Sequence, residues 1–491
     1  MRFKLDPYDI TQPLIIDPTL QWATYYGGTD FDYSYGCATD LSGNVYIAGQ
    51  TASTTFIASG GHQNTIGGDN DAYLVKFNPN GVRLWATYYG GTNLESASGC
   101  ATDAAGNVFL AGYTGSTTGI FTNGHQAALS GGYDGFLVKF NGNGLRIWAT
   151  YYGGPELEYG NDCTTDNAGN VYFTGRTLSS SNISSGGHQN TIGGSADGFL
   201  VKFNSNGVRQ WGTYYGGTGI DDGQSCTTDN AGNVYLSGQT YSSSNIAFNG
   251  HQMNYVSLSD GYLVKFNSNG VRQWSTYYGG SGADEGRGCA TDTSGNIYLA
   301  GRTTSLSGIA SNGYQNTLAG GVEAFLSKFN TNGVRQWATY YGGEGTDNLR
   351  RCTTDQAGNI YLTGETQSVN GIASSGYQNT HNEGNYDAYL VKINSAGVRQ
   401  WGTYYGGTGG DYGFNCAVDA TGNVFLCGHT TSLTGIASGG LQNTHSGGTY
   451  DAFLVKLSSE STPVPLTLTR FSATAVKNKT LLNWHLLRKK M

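Results

Sequence analysis

The chain has 491 residues with 78 Gly, 7 Pro and 3 Met, and Asp, Glu, Lys and Arg make up 12% of it, against about 25% in an average soluble domain. So few charged helix formers argue against a helix-rich enzyme, while 13% aromatic residues supply the apolar surface that disordered chains lack. The net charge of -8, with Lys and Arg nowhere gathered, weighs against nucleic acid as a partner, and no apolar run approaches the roughly 18 residues of a membrane-spanning helix.

Residues 1–19 read as a lead segment. Asp6 and Asp9 stand where a signal peptide needs its apolar stretch, so no leader is expected in it. From residue 20 the sequence repeats itself. W-x-T-Y-Y-G-G begins at Trp22, Trp85, Trp148, Trp211, Trp274, Trp337 and Trp401, at intervals of 63 residues five times and then 64. A second string, C-[AT]-[TV]-D-x-x-G-N-[VI]-[YF], begins at Cys37, Cys100, Cys163, Cys226, Cys289, Cys352 and Cys416. A third, [DE]-[AG]-[FY]-L-[VS]-K, begins at Asp71, Asp134, Asp197, Asp260, Glu323, Asp387 and Asp451. A fixed period of this length is the mark of a repeat architecture.

Within a unit, short runs of β-branched, aromatic and small residues alternate with turn residues, which is strand chemistry. In the first unit the spacing predicts strand A over 36–40, strand B over 45–51, strand C over 72–78 and strand D over 82–89. The tight A–B turn is Asp40 to Asn44 and the C–D turn Pro79 to Gly81. The array opens with a strand D (20–26) lacking A, B and C, and closes with A, B and C of the seventh unit (413–457) lacking D. That complementarity predicts an all-β fold, a closed seven-bladed β-propeller of four-stranded antiparallel blades over 20–457, with the N-terminal strand completing the last blade.

Together the three strings resemble the bacterial SBBP ("seven-bladed beta-propeller") repeat, over residues 20–457. The resemblance implies an exported or cell-surface propeller of Bacteroidetes-type bacteria, and an extracellular or surface location. The segment from Tyr8 to Pro18 looks like the join to a further N-terminal domain of such proteins. Beyond the propeller, 458–465 reads as a Ser/Pro linker. Residues 466–491, with Leu466 to Ala473 and Leu481 to Trp484, resemble the first strands of an Ig/fibronectin-like module of type IX-secreted proteins, cut short.

The A–B and C–D hairpins repeat too faithfully to carry specificity, whereas the D–A connections vary, so a local function is expected on their face. One variable position lies between the Gly and Thr of strand B: Gln50, Tyr113, Arg176, Gln239, Arg302, Glu365 and His429. The residues just before the strand A Cys vary too: Tyr35, Asn161, Asp162, Gln224, Arg287, Arg350, Arg351, Phe414 and Asn415. Strand A being innermost, Gln50, Tyr113, Arg176, Gln239, Arg302, Glu365, His429, Arg287, Arg350, Arg351, Tyr35 and Asn161 are expected to rim a central funnel suited to a polar, anionic or sugar-like ligand. The bland alternative is a set of solvated strand ends under no constraint.

Seven Cys are equivalent by the repeat, and the eighth, Cys427, takes the place of Ala48, Ala111, Thr174, Ser237, Ala300 and Thr363. Buried free thiols are expected rather than disulfides or metal ligands. His62, His125, His188 and His251 share a site that becomes Tyr314, Tyr377 and Leu441, so they read as packing, and the Gln that always follows is expected to tie down the long loop. No unit carries a DxDxDG calcium ladder, and no G-x-S-x-G or H-E-x-x-H occurs. Neither cofactor nor metal is expected. The function expected is a non-enzymatic binding or scaffold module, monomeric or within a longer chain, for a glycan or a surface protein. The alternative is a polysaccharide-acting enzyme using Arg287, Arg350, Arg351, Tyr113, Glu365 and His429.

Overall fold

The computed structural model describes residues 18–458, together with the backbone of two strands, Thr467–Val476 and Lys479–Leu487. The lead segment before residue 18 and most of the linker lie outside the described residues.

Seven four-stranded antiparallel sheets form the ring, with no helix among the described residues. In blade 1 the strands are A (Asp32–Thr39), B (Val45–Thr51), C (Asp71–Phe77) and D (Arg83–Tyr89). Blades 2 to 6 repeat this at their own numbers. Blade 7 takes its strand D from the N-terminal end of the ring: Thr19–Tyr26 pairs with Asp451–Ser458 from Thr19↔Ser458 to Tyr26↔Ala452. Each strand A lies against those of both neighbouring blades, so the A strands line the axis. Separately, Thr467–Val476 pairs antiparallel with Lys479–Leu487 in a two-stranded hairpin.

The repeated strings are the residues that join blade to blade. Trp85 Nε1 donates to Gly142 O in the C–D turn of blade 2 at 3.0 Å, and Trp22, Trp148, Trp211, Trp274 and Trp337 make the same bond one blade on. The ring also covers the turn glycine: a Cβ on Gly144, whose φ is +78°, would lie 2.7 Å from Trp85. The strand C lysine joins the same contact. Lys76 Nζ reaches Asp40 of the A–B turn at 3.3 Å and donates to Gly142 O at 3.2 Å, over the face of Tyr46. Of the paired tyrosines, Tyr88 donates to Ser53 O in its own blade, whereas Tyr89 donates to Ile120 O in the next. The invariant Gln behaves as expected, Gln63 Nε2 holding Asp71 Oδ2 at 2.8 Å while Oε1 accepts from Gly90 N. Each blade thus closes on its neighbour through buried hydrogen bonds as well as apolar packing.

Two features differ from expectation. Strand A begins four residues earlier than the spacing predicts, at Asp32 rather than Gly36. The D–A connections are also less free than they read, because each ends on an acidic residue: Asp32, Glu95, Glu158, Asp221, Asp284, Asp347 and Asp411, all fully buried. Each faces the equally buried strand C acid of the preceding blade across the first Gly of the Gly-Gly pair. At Gly90 a Cβ would lie 2.4 Å from Glu95 Oε2 and 2.6 Å from Asp71 Oδ1. Only glycine permits that approach.

Candidate functional site: a funnel of seven bulges

Every strand A is interrupted at one place. In blade 1 the register with strand B jumps between Ser34 and Gly36, leaving Tyr35 unpaired, and the other six blades repeat the jump. A β-bulge of this kind re-aims one side chain. The seven bulged residues, two positions before each Cys, are Tyr35, Ser98, Asn161, Gln224, Arg287, Arg350 and Phe414, and all seven line one cavity of about 260 Å³ on the axis. Gln50, Ser96, Tyr113 and Arg351 complete its wall.

Of the funnel residues expected from sequence, Gln50, Tyr113, Arg287, Arg350, Arg351, Tyr35 and Asn161 are brought together here. Arg176, Gln239 and Arg302 stand outside the cavity wall. Arg176 pairs with Asp222 of the next blade at 3.3 Å, Gln239 donates to Tyr241 Oη, and Arg302 reaches Glu285 at 2.5 Å. Glu365 and His429 are not rim groups at all, being 2% and 7% exposed. Glu365 is covered because Arg350 grips both its oxygens, at 2.7 and 3.0 Å. His429 is enclosed by the rings of Tyr33, Tyr412, Phe414 and Tyr450. Burial and the nearby Arg350 push its imidazole down to about 3. Ser96 and Ser98 were not singled out by the sequence. The signal that would have found Ser98 is its position, two residues before Cys100.

Round the ring the bulged residues fall into three sectors. Arg287 and Arg350 are adjacent, Phe414 and Tyr35 follow, and Ser98, Asn161 and Gln224 complete the circle. The aromatic pair is in edge contact at 5.0 Å, and Arg350 lies over Phe414 at 4.6 Å. In the cationic sector Glu285 is shared, accepting from Arg287 at 2.9 Å and from Arg302 at 2.5 Å. One carboxylate thus balances two guanidinium groups. Burial, with Arg350 and Arg302 nearby, pulls Arg287 down to about 10 despite Glu285, so it remains charged at neutral pH. Burial raises Tyr35 and Tyr113, keeping both phenols neutral.

The floor is Arg351. From blade 6 it reaches across the ring to blade 3, donating from Nη2 to Asn161 O at 3.2 Å and from Nη1 to Arg287 O at 2.6 Å. It also roofs a second cavity, of about 180 Å³, lined by the seven repeated cysteines and Asp162. These thiols are buried, as expected, and they stand around this axial space. Among the described residues, no group of three or more His, Cys, Asp or Glu is placed to hold a metal ion.

Blades of this repeat, ring closure and hairpin chemistry agree with one family. A family model for the SBBP beta-propeller repeat matches residues 21–57, 273–306 and 336–372. Those three stretches match the repeat's model. An uncharacterised WD repeat-containing protein of Acanthamoeba polyphaga mimivirus is 23% identical over 388 residues, 65% of this chain. The chain spans only 28% of that relative's length. Among solved structures, the ring is similar to polysaccharide lyase Uly1, at TM-score 0.45 and 8% identity over 90% of this chain and 98% of that one. A puromycin hydrolase gives 0.43 and 11%, over 92% and 60%. A gluconolactonase from Xanthomonas campestris gives 0.33 and 11%, over 69% and 84%. These likenesses concern fold alone.

Proposed function

We propose that the protein is a non-enzymatic binding module whose bulge-lined funnel takes one unit of an acidic saccharide. The observation that carries this reading is the order of the seven bulged residues. Arg287 and Arg350, with one positive charge left over from the shared Glu285, receive a carboxylate or sulfate. Phe414 and Tyr35 offer an aromatic surface to the apolar face of a sugar ring. Ser98, Asn161 and Gln224 donate to and accept from its hydroxyls. The cavity is the size of a monosaccharide unit, and the variable D–A face lets the rest of the chain run outward. On the resemblance of its repeats, the propeller acts outside the cell.

Binding is favoured over turnover by where the titratable groups lie. Acid–base catalysis on a sugar needs a proton-transferring group within reach of the reacting atoms, and glycosidases use a carboxyl pair. Here Glu285 and Glu365 are held by arginines, His429 is neutral and enclosed, and the cavity wall otherwise carries hydroxyl, amide and guanidinium groups.

The test is a thermal-shift panel of uronate-bearing, sulfated and neutral oligosaccharides, with the incubated sugars sized afterwards. Stabilisation by the acidic sugars, with chain length unchanged, is expected. Shortened chains, or stabilisation by none of the panel, would overturn the reading.

A further inference from the structure

The strand B position that holds Ala48, Ala111, Thr174, Ser237, Ala300, Thr363 and Cys427 faces the repeated cysteine of the next blade. Between blades 4 and 5, the Ser237 hydroxyl and the Cys289 thiol both donate to Ser225 O, at 3.4 and 3.6 Å. Between blades 1 and 2, Ala48 shares a core cluster with Cys100, and between blades 5 and 6 Ala300 shares one with Cys352. The two positions are therefore neighbours at these junctions. Only at the junction of blades 7 and 1 are both of them cysteine. There Cys427 and Cys37 sit in one cluster, and Cys427 Sγ lies 3.5 Å from the carbonyl oxygen of Gly36, the residue next to Cys37.

That junction is distinctive in a second way. Every other blade is closed by a C–D hairpin of continuous chain, whereas blade 7 is closed only by the hydrogen bonds between Thr19–Tyr26 and Asp451–Ser458. Cys37 lies in the strand that follows the first of these, and Cys427 in the strand that precedes the second. A bond between them would make the stretch from Cys37 to Cys427 a covalent circle enclosing the axis.

We propose that Cys37 and Cys427 are a disulfide-forming pair that locks the propeller ring at its seam. The oxidant is a small-molecule disulfide. The thiolate of one cysteine attacks it and releases one thiolate, and the second cysteine then attacks the mixed disulfide and releases another. The protein loses two hydrogens and one Sγ–Sγ bond forms. The reagent's S–S bond is reduced to two thiols, which take up both protons. The bond brings the two sulfurs to about 2.05 Å. Both thiols are enclosed, so exchange proceeds through local opening of the seam. The other six cysteines lack such a partner: across each of their junctions stands Ala, Ser or Thr. Because the loop enclosed is nearly the whole ring, the bond constrains the unfolded chain strongly.

The full chain, held a few degrees below its melting temperature with glutathione disulfide, is denatured in an alkylating agent and mapped by mass spectrometry. One linked peptide pair containing Cys37 and Cys427 is expected, with six alkylated cysteines and a melting temperature several degrees above that of a dithiothreitol-treated sample. Cys427→Ala restores the residue found at positions 48, 111 and 300. It should fold, show no cross-link and lose the difference between the oxidised and reduced samples. Eight alkylated cysteines after the incubation, or a linkage through any other pair, would overturn the proposal.

Discussion

Arg350 is the residue on which most of the funnel turns. It grips Glu365 through two oxygens and lies over Phe414, so it fixes the cationic and aromatic sectors relative to each other. Removing it leaves a carboxylate that is 3% exposed without its partner. Arg350→Ala should lower stability by about 1–3 kcal/mol in urea unfolding. Adding Glu365→Gln should recover part of this, because the orphaned charge is then gone. The same Arg350→Ala change should weaken acidic-saccharide binding at least tenfold, which is about 1.4 kcal/mol. His429 supplies a second expectation. With its imidazole pushed down to about 3, it stays neutral across the range in which histidine usually switches, about pH 5 to 8. Saccharide affinity measured by calorimetry across that range should show no step from a histidine.

At the scale of the element, the strand, the turn and the ring closure were legible, and the bulge was not. Strand B, the hairpin turns and the missing partner of Thr19–Tyr26 follow from turn residues and spacing that recur in every unit. The bulge leaves no such mark, because its residue ranges from Ser98 to Arg350 and only its distance from the Cys is fixed. Nor does periodicity reveal it, since one extra residue shifts strand A out of alternation halfway along. For the same reason Glu365 and His429 read as rim groups. Their strand position was legible, but covering them took the bulged Arg350 and Phe414 from strand A. The buried acid at the start of strand A was overlooked because the residues around it vary freely.

The turn glycines give a test at this scale. Gly207 and Gly106 have the same φ of +78°, yet a Cβ on Gly207 would lie 2.8 Å from Trp148, whereas at Gly106 it would meet nothing within 4 Å. Gly106→Ala should cost about 1 kcal/mol from backbone conformation alone. Gly207→Ala adds overpacking against the indole and should cost roughly 2–4 kcal/mol. Equal costs in urea unfolding would refute the blade-to-blade role given to the turn.

Across the whole molecule, seven pairs of buried carboxylates stand between successive blades, and their protonation ties ring stability to pH. Burial pushes Asp32 up to about 7, against hydrogen bonds from Thr51, Gly28 N and Ser53, and it also raises Asp451, Asp260, Asp387 and Asp411 to about 7. In the unfolded chain such groups titrate near 3.9. Between these values the folded ring holds more protons than the unfolded chain. The stability these carboxyls contribute is therefore greatest below about pH 4 and falls as the pH rises towards 7. Asp451 Oδ1 has no hydrogen-bond partner and, with Asp32 Oδ2, flanks Gly27. Asp451→Asn mimics the protonated acid there and should shrink the loss of denaturation midpoint between acid and neutral pH. A variant midpoint that changes with pH just as the wild type's does would contradict this role of the pair.

The central claim is that a sevenfold frame carries one asymmetric ring of bulged residues that binds an acidic sugar. Its most direct test is calorimetric titration of a uronate oligosaccharide into the wild-type protein and into Arg287→Ala/Arg350→Ala, with the sugar sized afterwards. The account expects saturable binding at one site per chain, lost in the double variant, with the sugar intact. Equal binding by the variant, or a shortened sugar from the wild type, would contradict it.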